Sequence, residues 1–136
     1  MKTLALDLGD VHVGTAISDV LGITAKPYLT VGATELESFL KALLEKESNI
    51  TTIVVGLPKT MRGTISEQTQ KTIDTKEDLE KKFPQIKWVL LDERLTSKQA
   101  DQMKQAKTKE DKIKSHSVAA ALILRSYLDS VAFFKS

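Results

Sequence analysis

Residues 3–9 read Thr-Leu-Ala-Leu-Asp-Leu-Gly, and residues 11–18 read Val-His-Val-Gly-Thr-Ala-Ile-Ser. Leucines alternate in the first segment, which is typical of a strand with one apolar face, and the second segment predicts another strand. Gly9 and Asp10 are a turn signal between them, so the two segments predict a β-hairpin. Asp7 lies inside the first strand, on the face opposite its leucines.

The elements that follow the hairpin alternate between strands and helices. Pro27 places a third strand, over residues 23–31, at a sheet edge, because proline cannot donate to a strand ladder. Thr34 and Glu37 form a capping-box pattern, which predicts a helix that begins at Thr34. The remaining segments predict, in order, a strand buried on both faces at 51–57, a helix at 64–82, a strand at 86–91, a short helix at 97–105, a lysine-rich loop at 106–114 and a helix at 115–132. This order predicts an α/β fold with a mixed sheet and helices packed against it.

Composition narrows the class of protein. The chain has 136 residues, the length of one domain, with 41% hydrophobic and 28% charged residues and a net charge of +2, values typical of soluble globular proteins. The absence of cysteine excludes a disulfide scaffold, a cysteine nucleophile and a thiolate zinc site. Aromatic residues make up 5%, which argues against a broad stacking platform for single-stranded RNA. The sequence shows no signal peptide or membrane span, so a cytoplasmic location without a membrane partner is expected.

Two acidic positions are candidate metal ligands. A carboxylate such as Asp7 in an apolar strand is costly unless it is paired or binds a metal; the alternative is a structural cap of the hairpin turn. Asp92 and Glu93 follow the strand at 86–91, and ligand sites gather at the carboxyl ends of parallel strands. Glu93 is therefore a candidate oxygen ligand for Mg²⁺ or Mn²⁺. The alternative for residues 92–94 is a local salt bridge plus a helix cap at Thr96 or Ser97.

Basic residues predict a phosphate-binding surface. Lys59 and Arg62 stand in the loop before a predicted helix, whose N-terminus attracts anions, and Arg94 can bind a phosphate through two hydrogen bonds. A lysine-rich run comprises Lys104, Lys107, Lys109, Lys112 and Lys114. Such a run can bind a nucleic-acid backbone in a salt-sensitive way, and its alternative role is that of a solvated loop.

His116 is a third candidate ligand. Ser115 before it resembles a helix N-cap, which would place His116 in the first turn of the last helix. The positive end of the helix dipole disfavours protonation there, so a neutral imidazole would be free to bind a metal or donate to a phosphate. The alternative is an exposed residue at a helix start.

Four segments together resemble the YqgF (RuvX-type) nuclease family over Thr3 to Leu128. They are residues 6–10 (Leu-Asp-Leu-Gly-Asp) with Gly14 and Ser18-Asp19, residues 54–58 (Val-Val-Gly-Leu-Pro) with Met61 and Gly63, residues 92–96 (Asp-Glu-Arg-Leu-Thr), and residues 117–124 (Ser-Val-Ala-Ala-Ala-Leu-Ile-Leu) with Ser126-Tyr127. Each segment alone is a weak signal, whereas all four in order are specific. Members of the family are described as nucleases that trim the precursor of small-subunit ribosomal RNA or as Holliday junction resolvases.

The resemblance implies both a fold and a chemistry. The fold is ribonuclease-H-like: one domain over residues 1–136, with helices on both faces of a five-stranded mixed sheet in the order 3-2-1-4-5. The chemistry is phosphodiester hydrolysis with two divalent metal ions held by clustered carboxylates. Asp7 and Glu93 match two of the acids of the family, with Asp92 as the alternative to Glu93, and His116 stands where a third, an aspartate, is usual. Imidazole suits Mn²⁺ or Zn²⁺ better than Mg²⁺. His12 takes the place of a basic residue in the first hairpin, and Arg62 that of an aspartate.

The leading hypothesis is a nuclease that uses Mg²⁺ or Mn²⁺ and processes the 5′ end of pre-16S ribosomal RNA. Asp7, Glu93 and His116 are its expected catalytic and metal-binding residues. One alternative is a non-catalytic nucleic-acid-binding module that relies on Lys59, Arg62 and the lysine-rich run. Another is a resolvase of DNA junctions, which would act as a dimer because its substrate is two-fold symmetric. RNA is the favoured partner, and the expected state is a monomer or a weak homodimer.

Overall fold

A computed structural model describes residues 1–58, 67–93 and 109–135 of the chain. Its elements are β1 (Lys2–Leu8), β2 (His12–Ser18), β3 (Ala25–Gly32), a 3₁₀ turn (Ala33–Glu35), α1 (Leu36–Lys46), β4 (Ile50–Pro58), α2 (Glu67–Lys82), β5 (Lys87–Glu93) and α3 (Lys109–Lys135). The short helix predicted at 97–105 lies outside the described residues.

The five strands form one sheet in the order β3-β2-β1-β4-β5. Strands β1, β2 and β3 pair antiparallel, whereas β4 runs parallel to both β1 and β5. The predicted hairpin, the mixed sheet and its order are therefore confirmed. Strand β3 lies at an edge, as Pro27 predicts.

Helices cover both faces of the sheet. On one face α1 and α2 bury a core of large side chains: Leu4, Leu6, Val13, Leu36, Leu40, Leu43, Ile50, Ile53, Val55, Leu79, Phe83, Ile86 and Trp88. On the other face α3 packs over a smaller cluster: Ala5, Ala16, Val54, Ala120, Ile123, Leu124 and Leu128. Strand β4 contributes to both clusters, which confirms that it is buried on both faces.

Helix α1 does not begin with the predicted capping box. Residues 33–35 wind as a 3₁₀ turn, and the N-cap, Glu35, makes no side-chain cap hydrogen bond. The amide of Ala33 instead donates to the carbonyl of Val11 at 2.8 Å. This bond ties the chain to the β1–β2 turn, and the 3₁₀ turn places Thr34 inside a helical turn, where it cannot act as the cap.

Helix α3 begins six residues before the predicted start. It runs without a break over 27 residues from Lys109, so the loop predicted at 106–114 is wrong over residues 109–114. Lysine and glutamate are good helix formers even without an apolar stripe, and no glycine or proline interrupts the segment. Ser115 is therefore not an N-cap, and His116 lies two turns inside the helix.

The edge strand β3 contains an irregularity opposite Thr15. The register with β2 shifts between Gly14 and Ala16. The buried Thr15 hydroxyl fills this gap, because it donates to the carbonyl of Leu29 at 2.6 Å and accepts from the Leu29 amide at 2.9 Å. A side chain thus replaces a missing part of the backbone ladder.

Among the described residues, no helix combines the length and the apolar character that crossing a membrane requires.

Candidate active site

Asp7 is held where β1, β2 and α3 meet. It is the last residue but one of β1 and pairs in register with Gly14 of β2. A Cβ atom at Gly14 would collide with the backbone carbonyl of His116 and the backbone nitrogen of Ser117. Because Gly14 has no side chain, α3 lies directly on the sheet beside Asp7. This close approach brings His116 to the aspartate.

The two side chains face each other across this contact. The Nδ1 atom of His116 lies 3.8 Å from Oδ2 of Asp7, and the side chains are 28% and 30% exposed, respectively. The distance is too long for a hydrogen bond, and both groups remain accessible from solvent. The helix-dipole argument for a neutral His116 does not hold, because the dipole acts within the first turn and His116 lies beyond it.

His12 is a third polar group at this position. Its ring centroid lies 5.7 Å from that of His116, and its carbonyl accepts the amide of Gly9 at 3.1 Å. The sequence pattern identified His12 only as a replacement for another basic residue. Its place on the α3 face follows from strand alternation, because His12, Gly14 and Ala16 share one side of β2. That alternation could have placed it near Asp7.

The donor chemistry of the Asp7–His116 pair fits a divalent cation. Two atoms that bind one ion at about 2.1 Å lie about 3.0–3.4 Å apart, close to the 3.8 Å between Oδ2 and Nδ1. In the part of the chain that the structure describes, no group of three or more His, Asp or Glu side chains has the geometry of a metal site. Within the described residues, the pair alone would offer two donors to such an ion.

Glu93 ends β5 at the same edge of the sheet. The strand continues through Asp92 and Glu93, which pair with Leu57 and Pro58 of β4, so these acids belong to the strand rather than following it. Glu93 has the same alternation as Val89 and Leu91, which pack on the α3 face. Strand β5 lies two strands from β1, about 10 Å across the sheet. The structure describes the backbone of Glu93 but not its side chain.

The predicted phosphate-binding residues fall into two groups. Lys59, Arg62, Arg94 and Lys107 lie outside the described residues. Lys109, Lys112 and Lys114 belong to the first two turns of α3, where the structure describes the backbone only. Positions 109, 112 and 116 are three and four residues apart and share one stripe of the helix. One helix therefore carries both part of the lysine-rich run and His116.

Asp19 has a structural role at the opposite end of the sheet. Its Oδ1 accepts the amides of Ile23 at 2.7 Å and Thr24 at 3.0 Å in the β2–β3 turn. These hydrogen bonds, that from Thr24 foremost, hold the pKa of Asp19 below its ordinary value. The Ser18-Asp19 segment of the family pattern thus forms a turn remote from Asp7.

The family is decided by a match over almost the whole chain. The family model described as "RuvX: Holliday junction resolvase" matches residues 1–130. The chain belongs to the RuvX family. A relative from Clostridium novyi, named "Putative pre-16S rRNA nuclease", is 40% identical over 96% of this chain and 100% of its own length. A relative of the same name from Fusobacterium nucleatum is 35% identical over 94% of this chain and 96% of its own length.

Solved structures agree on the fold of this RuvX-family chain. Thermus thermophilus RuvC in complex with a Holliday junction substrate superposes with a TM-score of 0.56 at 11% identity, covering 97% of this chain and 96% of that one. The fowlpox virus Holliday junction resolvase superposes with a TM-score of 0.55 at 15% identity, covering 96% and 99% of the two chains. The ribonuclease-H-like fold that the sequence predicts is thereby confirmed.

Proposed function

We propose that this protein is a metal-dependent nuclease that processes the 5′ end of pre-16S ribosomal RNA. The observation that carries the proposal is the meeting of Asp7 and His116 at the carboxyl edge of β1, with both side chains open to solvent. Relatives over nearly the full length bear the name of this activity. Nucleic acid, and RNA in particular, is the expected partner.

Three residues would hold the metal. Asp7 would supply a carboxylate oxygen and His116 an imidazole nitrogen. Glu93, at the end of the parallel strand β5 on the same edge of the sheet, would supply a second carboxylate. Bound Mg²⁺ or Mn²⁺ would activate water for attack on the phosphodiester and stabilise the leaving oxygen. The nitrogen ligand favours Mn²⁺ over Mg²⁺, and it leaves the site with less negative charge than three carboxylates would.

The rest of the chain would position the phosphate. Helix α3 continues for two turns beyond His116 toward its N-terminus, and those turns include Lys109, Lys112 and Lys114. Lysines on this segment would bind phosphates that flank the scissile one. Binding should therefore weaken steeply with salt, because each neutralised phosphate releases counterions. Lys59, Arg62, Arg94 and Lys107 are proposed to extend the same surface.

Cleavage of a 5′-extended ribosomal RNA precursor tests the proposal directly. Asp7→Asn should abolish metal-dependent trimming, because it removes a charged ligand while preserving shape. Asp129→Asn, an exposed acid of α3 that pairs with Arg125, is the matched control and should cleave like the parent protein. A four-way DNA junction is assayed in parallel. Full trimming by Asp7→Asn would contradict the proposal, and cleavage of the junction alone would identify a resolvase.

The metal preference tests the role of His116. We expect the parent protein to be more active with Mn²⁺ than with Mg²⁺, and His116→Asp to raise the activity with Mg²⁺ relative to Mn²⁺. Calorimetric titration of both ions into both proteins measures the same preference without turnover. An unchanged ratio of metal affinities would show that His116 does not bind the ion.

A further inference from the structure

A concave surface lies at the same edge of the sheet as Asp7, on the opposite face. It is a groove of about 330 Å³ between the β1–β2 turn, the 3₁₀ turn and α2. Its polar lining includes Asp10, Lys71, Asp74 and Thr75. Nothing in the metal chemistry described above uses these side chains.

The lining has an apolar wall and a polar rim. Leu8, Val13 and Leu36 belong to the large core beneath the groove, so the floor of the groove is apolar. At the rim, Lys71 Nζ lies 3.8 Å from Oδ1 of Asp10, and both side chains are 67% exposed. A pair so exposed is weak. The Lys71 ammonium can therefore exchange Asp10 for another anion.

The charges of the rim indicate which part of a nucleotide enters the groove. Two carboxylates, Asp10 and Asp74, accompany one ammonium, Lys71, so a phosphate inside the groove would be repelled. Carboxylates accept hydrogen bonds from the amino and imino groups of bases. A base placed inward, with its phosphate outside near Lys71, matches this arrangement.

Gly9 connects the groove to the candidate active site. It lines the groove, and a Cβ built on it would lie 3.8 Å from Cε1 of His116. Asp7 is two strand residues away, about 7 Å. The same Cβ would also meet the carbonyl oxygen of His12, so the β1–β2 turn is tightly packed at Gly9. The groove and the candidate active site therefore lie on either side of this turn.

We propose that this groove binds one unstacked nucleotide of a single strand, next to the phosphate held at Asp7 and His116. This inference rests on the proposed nuclease function. According to this inference, the substrate is single-stranded at the cleavage point. The groove binds the base that is adjacent to the scissile phosphate. Bases that carry an amino group, such as cytosine, bind better than uracil.

Filling the groove tests this proposal. Thr75 is an exposed rim residue of α2, and Thr75→Trp would occupy the space meant for the base. Glu77→Trp, on an exposed position of the same helix outside the lining, is the matched control. Fluorescence anisotropy with pentameric oligocytidylate, in EDTA, should show about tenfold weaker binding for Thr75→Trp, because the indole excludes one base from the apolar floor of the groove. The control should bind like the parent protein.

Three further measurements test whether the groove binds a base, whether the ribose contributes and whether Lys71 contacts the substrate. Oligocytidylate should bind about fivefold more tightly than oligouridylate, the effect of about one hydrogen bond, and the deoxy form of the oligomer shows whether the ribose contributes. Lys71→Ala should raise KM for cleavage and leave kcat unchanged, whereas Lys76→Ala, whose lysine pairs with Glu80, should change neither. Equal binding by Thr75→Trp and the parent protein would overturn the proposal.

The design separates this proposal from the proposed function. Asp7→Asn should bind the oligomer in EDTA at least as tightly as the parent protein does, because it removes a negative charge beside the bound phosphate and leaves the groove intact. If Thr75→Trp weakens binding but neither the parent protein nor any variant cleaves RNA, the nucleotide-binding groove is supported and the proposed nuclease function is contradicted. If Asp7→Asn abolishes cleavage while Thr75→Trp changes neither binding nor KM, the nuclease assignment stands and the groove fails.

Discussion

The two faces of the sheet are built differently. Beneath α1 and α2 the core consists of leucine, isoleucine, phenylalanine and tryptophan side chains. Beneath α3 the strands present small residues, among them Ala5, Gly14 and Ala16. The first face separates helix and strand by full side-chain layers, and the second lets the helix backbone reach the sheet.

The two faces of the sheet contribute differently to stability and to the geometry of the candidate active site. Burial of apolar area on the α1–α2 face supplies most of the hydrophobic stabilisation. The α3 face contributes less area but places His116 beside Asp7, because the backbone of the helix rests on Gly14. Stability and geometry are therefore sensitive to different substitutions on the two faces.

Substitution of Gly14 by alanine should have the largest effect. The added Cβ meets backbone atoms of α3, which cannot rotate away, so the helix must shift. We expect a loss of about 3 kcal/mol in the free energy of unfolding, measured by urea denaturation, together with loss of cleavage. Gly32→Ala is the control, since its nearest contacts are at 3.8–4.0 Å from the flexible Glu35 side chain. Equal stability of the two variants would contradict the close approach of α3.

Leu40→Ala should destabilise the other face without changing the site. Leu40 is completely buried in the α1–α2 core, and its truncation leaves a cavity that costs about 3 kcal/mol. Activity per folded molecule should match that of the parent protein. Leu21→Ala, at a position 79% exposed, should alter the free energy of unfolding by less than about 0.5 kcal/mol. A fall in activity with Leu40→Ala below its unfolding transition would show that the two faces are coupled.

Gly56→Ala should have an intermediate effect. The new Cβ would meet the Cδ1 and Cγ1 atoms of Ile123 on α3, a side chain that can move, so we expect a loss of about 1–2 kcal/mol. Ile123→Val removes the nearest of these atoms. In that background the cost of Gly56→Ala should fall, and a double-mutant cycle measures the difference. Strict additivity would mean that the two residues do not meet.

The smallest effect concerns Asp19 and pH. Its pKa is lowered in the folded protein by the amides of Thr24 and Ile23, so the ionised form stabilises the fold above the ordinary aspartate pKa. That contribution is lost as the pH falls from the ordinary aspartate pKa through the lower pKa of the folded protein. Asp19→Asn should be slightly less stable than the parent protein at pH 7 and equally stable in strong acid. A difference in stability that does not depend on pH would contradict this account.

Much of the fold was predictable from side-chain periodicity. The alternating leucines of β1 and the β-branched run of β4 mark strands directly, and Pro27 marks the edge. The start of α3 was not predictable, because a lysine-rich segment without an apolar stripe resembles a loop although its residues favour a helix. Nor was the start of α1, where a hydrogen bond from Ala33 to the distant Val11 decides the local conformation.

The candidate site was predictable in composition but not in geometry. The costly position of Asp7 and the resemblance of the Ala-rich helix pointed to Asp7 and His116. Their approach depends on α3 crossing the sheet at Gly14, a contact between residues about a hundred positions apart in the chain that no local pattern encodes. The proximity of His12 depends on the same crossing.

The irregular edge strand also bears on how copies of this protein can associate. Pro27 lacks the amide that an added strand would need, and the register of β3 with β2 is interrupted near Leu29. Such an edge resists extension of the sheet into a second molecule and resists aggregation through strand addition. A dimer that cuts symmetric substrates would therefore have to assemble through helices or loops rather than by joining two sheets at β3.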